Sequence, residues 1–148
     1  MPLDKQSFYA RTMHTPDSPE RAAQREALRE VSKNLLPLHR ALIEAAKEDY
    51  AFAVRPIDKP AELLRLLTDD PFFDWLKPVT SLIVDIDEIA RTDFEASDVA
   101  ALADRIDALF GPKAGEEFAR SYVPMLQRSV DVAMSHAAVR KAAARLRG

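Results

Sequence analysis

Apolar residues fall at positions 28, 31, 35, 38, 42 and 45, in alternating steps of three and four that draw one stripe along a helix. Such a helix is not stable alone in water, so its stripe must be covered by other helices of the chain or of a second copy. Ser18, Pro19 and Glu20 read as N-cap, first helical position and first-turn acid, and the helix should run to about Val54, before Arg55 and Pro56. Pro37 lies inside it. The proline removes one backbone hydrogen bond and crowds the carbonyl of Lys33, so a kink, or a break into two helices, is expected near Lys33 to Leu36.

Further stripes follow. Asp58, Lys59 and Pro60 open a short helix through Leu67, whose Leu63, Leu64, Leu66 and Leu67 supply more apolar surface than one narrow face, as if wedged between larger elements. Thr68 to Pro71 repeat the cap-then-proline signal. Phe72, Leu76, Val79, Leu82, Ile83, Ile86 and Ile89 then recur at helical spacing, interrupted early by Pro78. This predicts a short piece carrying Phe72, Phe73 and Trp75, then a central helix from about Pro78 to Ala90. After a polar connection, Thr92 to Ala96, a helix through Val99, Leu102, Ile106 and Phe110 should stop at Gly111 and Pro112. The remainder divides near Pro124 or Ser129 into a helix from about Ala114 to Arg128 and another toward Leu146.

The fold class expected from these stripes is all-α: a compact bundle of five or six helices with a long, proline-interrupted N-terminal helix, which packs on the Pro78 to Ala90 helix. Residues 1–17 lack periodicity and read as a mobile N-terminal arm, and residues 18–148 as a single helical-bundle domain. Composition agrees. The chain is 47% hydrophobic, carried mostly by Ala and Leu, and 30% charged. Cysteine is absent, which excludes disulfides, thiolate zinc sites and thiol nucleophiles. Met1 to Ala10 contain Asp4 and Lys5 and no continuous apolar run, unlike a secretory signal, and no stretch approaches the roughly 18 uncharged apolar residues of a membrane span. A cytoplasmic protein without a membrane partner is expected.

The net charge of −3 disfavours general polyanion binding, but it is unevenly spread. Asp85 to Asp107 holds eight acids and two arginines, whereas Phe118 to Gly148 holds six basic residues against Asp131 alone. Asp85 and Glu88 share one helical face with Lys77 and Ser81. Asp87 lies about 200° from Asp85 and cannot close on the same ion, so it is better suited to a surface pair with Arg91. A solvated acidic face is therefore expected rather than a metal site. The basic tail, Arg140, Lys141, Arg145 and Arg147, could meet nucleic-acid phosphates, complement its own helix dipole, or pair with the acidic region. Without interleaved aromatic residues, nucleic acid is the weaker partner.

Other chemistry is sparse. None of His14, His39 and His136 sits in a Glu-x-x-His or His-x-x-x-His spacing, and no cofactor is implied. With glycine only at 111, 115 and 148, neither a phosphate-cradling loop nor a nucleophile elbow can be written. His39 flanks the apolar seam, and Trp75 heads the densest aromatic group. Together with Tyr50 they are the candidate ligand pocket. Three segments, Leu38 to Ile43, Asp70 to Pro78 and Leu82 to Glu88, resemble a group of small bacterial all-helical proteins with no assigned function. The resemblance implies a bacterial, cytoplasmic, helical protein and assigns no residue a role. The leading expectation is a non-catalytic interaction or regulatory module, able to self-associate or bind a protein partner. The alternatives are a small-molecule- or metal-binding bundle with its pocket near Trp75 and His39, and a nucleic-acid adaptor acting through the basic tail.

Overall fold

The computed structural model describes residues 16–112 and 114–147, and these build an all-α fold without strands. In chain order the helices are α1 (Pro19–Ala53), α2 (Pro60–Asp69), α3 (Lys77–Ala90), α4 (Ala96–Phe110), α5 (Glu116–Arg128) and α6 (Val130–Ala144). A 3-10 turn, Pro71–Leu76, joins α2 to α3, and another, Arg145–Arg147, follows α6. Two of the helices and the first 3-10 turn start at a side-chain cap. Ser18 accepts the Arg21 N–H at 3.1 Å, Asp70 accepts the Phe72 N–H at 2.9 Å, and Ser129 accepts the Val132 N–H at 3.2 Å. Helix α4 ends at Gly111, where the backbone turns extended ahead of Pro112, and a Cβ there would come within 2.6 Å of the Asp107 carbonyl oxygen.

Helix α1 carries the core. Leu28, Val31, Leu35, Leu38 and Leu42 are fully buried, and Ala45 and Ala46 extend the same surface. Its main partner is α6, followed by α3. The contact with α3 was expected, but the larger contact with α6 was not, because α6 is weakly amphipathic and shows its small buried face only through Val132, Val139, Ala142 and Ala143. Helix α4 covers α3, and the turn after α6 closes over α4.

Two alternatives are decided and two expectations corrected by this arrangement. Helix α1 runs unbroken through Pro37, since both Pro37 and Lys33 face solvent and water can hydrate the freed carbonyl. Pro124 likewise lies inside α5, and the division falls at Ser129. Helix α2 buries only Leu66, leaving Leu64 67% exposed, so it lies on the surface rather than wedged inside. The connection after α3 is not wholly polar, because Phe94 is buried. The expected N-terminal arm falls almost entirely outside the described residues.

Asp17, at the foot of that arm, has a fixed place. Arg25 is buried and donates to both Asp17 carboxylate oxygens, at 2.7 and 3.0 Å, and to the carbonyls of Ala90 and Thr92, at 2.7 and 2.9 Å. Its guanidinium also sits 4.9 Å from the centre of the Phe94 ring. One side chain thereby caps the C-terminal carbonyls of α3 and ties down the start of α1. Nearby, Ser32 donates to Asp87 Oδ1 at 2.5 Å, so that no buried side-chain polar atom among the described residues is left without a partner.

Candidate functional site: two clefts beside a 3-10 turn

The turn Pro71–Leu76 presents its side chains alternately to two sides. Phe73 and Leu76 go inward toward α1 and α2, whereas Phe72 and Trp75 face α4 and α5. A cleft opens on each side. The first, about 460 Å³, lies between α1, α2 and α3, with Ile43, Leu67, Phe73 and Leu76 as apolar lining and Leu64 as an exposed wall. This wall accounts for the surplus leucine of α2. His39 reaches across the cleft, its Nε2 hydrogen-bonded at 2.9 Å to Thr80 Oγ1, and Lys77 and Ser81 stand near it. Burial lowers the His39 pKa below the usual imidazole range and favours the neutral ring.

The second cleft, about 590 Å³, is lined by Trp75, Phe72, Phe118 and Leu109 with Pro71 and Pro78. The single pocket expected from Trp75, His39 and Tyr50 is therefore divided. Trp75 and His39 occupy different clefts, and Tyr50 lines neither. Tyr50 is buried between them, edge-on to Phe72 with ring centres 5.2 Å apart and tilted against Phe73 at 5.5 Å. It serves as the partition.

A pair that the sequence reading missed lies between α5 and α6. The Tyr122 hydroxyl is 2.7 Å from His136 Nδ1, inside a group of rings formed with Phe110 and Phe118. Burial pushes the Tyr122 phenol well above its ordinary pKa, and burial together with the charge of Arg140 lowers that of His136. Tyr122 is readable as an inward residue, but nothing in the sequence signals that His136 would meet it.

The charged groups separate into pairs. Asp85 binds Arg105 at 2.7 Å, Glu88 is exposed, and Asp87 turns to Ser32 while Arg91 donates to the Asp87 backbone carbonyl at 3.2 Å. The expected Asp87–Arg91 side-chain pair is thus replaced, because the hydroxyl of Ser32 on the facing helix is closer to hand. No group of three or more potential ligands that could hold a metal ion occurs among the described residues. Asp85→Asn and Glu88→Gln should each change urea-unfolding stability by less than about 1 kcal/mol, since the Asp85–Arg105 pair is partly exposed and screened and Glu88 is exposed. In the basic tail, Arg147 grips Asp104 and Asp107 at 2.8 and 2.7 Å, and Arg140 lies 3.7 Å from Asp107. Lys141 and Arg145 instead border a shallow hollow with Glu30 and Asn34. Half of the basic cluster is thus turned onto the acidic helix α4.

Compared with known proteins, the chain matches no protein-family model, no curated protein and no solved structure. The class of the protein is accordingly given by its fold, an all-α bundle, and among its described residues no helix is long and apolar enough to cross a membrane.

Proposed function

We propose that this protein is a non-catalytic binding module whose α1–α2–α3 cleft takes a small apolar molecule with one acidic head group. The observation that carries the reading is the composition of that cleft. Its floor is apolar, its volume lies in the range of small-molecule sites, and its two titratable lining groups, His39 and Lys77, are both basic. The head group would meet His39 and Thr80, and the chain would lie along Leu64 and Leu67. A bound carboxylate favours the imidazolium and so raises the pKa that burial has lowered. Affinity should therefore increase as pH falls toward that pKa.

Octanoate is a suitable probe, followed by amide NMR shifts of the full chain. Saturable shifts at Leu64, Leu67 and Thr80 are expected, with binding weakened at least about tenfold by Leu64→Asp, which places a repelling charge on an exposed wall without touching the core. Absence of saturable shifts up to about 5 mM, a range that covers weak small-molecule affinities, would sink the reading.

A second reading, an interaction module that pairs with a protein or with another copy of itself, is favoured by Phe52, 96% exposed at the end of α1, and by Val130 and Met134 on α6, 72% and 69% exposed. Light scattering over a dilution series separates the two. A mass independent of concentration removes the self-pairing form.

A further inference from the structure

The cleft beneath Trp75 has the opposite electrical character from its neighbour. Its charged lining residues are Asp74 and Glu117, and no Lys, Arg or His lines it among the described residues. Asp74 is held by Lys77 at 2.8 Å in a pair about half exposed on both sides, a contact that water and salt readily exchange. Glu117 stands in the first turn of α5, where with Glu116 it offsets the positive helix end. The rings add to this. Trp75 and Phe118 lie with centres 5.9 Å apart and planes 52° apart, forming an open wedge rather than a closed stack. Trp75 remains partly exposed on one side of that wedge. Ring faces carry negative quadrupole charge, so the aromatic walls and the carboxylate rim attract the same kind of partner.

Three partner chemistries fit less well. An anion is repelled by the rim. A bare metal ion lacks ligands, because no group of three or more potential ligands occurs among the described residues. A neutral apolar molecule would gain the walls but leave the carboxylates partly desolvated with nothing to pair them.

We infer that the Trp75 cleft binds an organic cation, an alkylammonium or quaternary ammonium with an apolar body, its charge between Glu117, Asp74 and the ring of Trp75. This site meets the His39 cleft at the Lys77–Asp74 pair but does not require that cleft to bind anything. Trp75 is the only tryptophan, so its fluorescence reports occupancy directly.

Titration of the full chain at low salt with hexyltrimethylammonium, 1-hexanol and hexanoate tests the inference. The cation should change the Trp75 emission saturably, and 1-hexanol should bind at least about tenfold more weakly. Glu117→Gln should weaken the cation about fivefold while leaving the weak binding of 1-hexanol unchanged. Trp75→Leu, followed by the amide shifts of Leu109 and Ser121, should weaken it about tenfold. Binding of 1-hexanol as tight as that of the cation, an unaltered affinity in Glu117→Gln, or no saturation up to about 10 mM would each overturn the inference.

Discussion

Leu42→Asp should yield a chain that does not form the bundle. Leu42 is fully buried on α1, the helix that packs on both α6 and α3, so a carboxylate there would have no water and no hydrogen-bond partner. An unpaired buried charge costs several kcal/mol, comparable to the roughly 5–15 kcal/mol that holds a domain together. The same site can be measured more gently. Leu42→Ala should fold but lose about 2–5 kcal/mol, since the removed methyl groups leave a cavity that two long helices cannot collapse around. Urea unfolding followed by circular dichroism reads both variants. A Leu42→Asp protein with native helicity and an unchanged midpoint would show that the α1 seam is not the centre of the core.

Arg25→Ala should be nearly as damaging, although Arg25 belongs to no apolar stripe. Its guanidinium satisfies the Ala90 and Thr92 carbonyls at the end of α3 and both oxygens of Asp17, while its flat face lies over Phe94. Truncation would orphan the Ala90 carbonyl in a buried place and leave the Asp17 carboxylate, largely buried, without its cation. Breaking such an arrangement by removing one partner costs about 3–5 kcal/mol. Arg25→Lys should recover only part of the loss, because one ammonium cannot make the parallel pair to Asp17 and reach two carbonyls at once. The check is again urea unfolding, with Asp17→Ala as a second variant. If Arg25→Ala and Asp17→Ala together cost no less than the sum of the two alone, the pair does not act as a unit.

Much of the architecture was legible before any coordinates. Ser18–Pro19, Asp70–Pro71 and Ser129 mark helix starts because their side chains satisfy backbone N–H groups within three residues, and Gly111–Pro112 marks a stop for a reason equally local. The stripe from Leu28 to Ala45 is buried at every position named for it. Proline was the ambiguous signal. Pro37 and Pro124 look like breaks in one dimension, yet each faces solvent on a helix whose other side is anchored by packing, so the lost hydrogen bond is tolerated.

The candidate sites were legible only as residue types. Trp75, His39 and Tyr50 are legible as residue types able to bind a ligand, but Trp75, on the turn between α2 and α3, lines one cleft, His39 of α1 lines the other, and Tyr50 of α1 is the partition between them. His39 meets Thr80, 41 positions away, Arg25 meets the Ala90 carbonyl across 65 positions, and Tyr122 meets His136 across a helix junction. No short-range pattern encodes such meetings.

From its sequence alone this protein is determined to be helical, with its helix ends and its buried stripes, because hydrogen bonds and side-chain periodicity act over three or four residues. Which helix covers which stripe, how the turn at Pro71 divides its aromatic side chains, and the sign of charge left around each cleft were decided by the tertiary structure. These depend on the spacing between helix axes and on which distant side chains share a gap, quantities that arise only when the whole chain closes on itself.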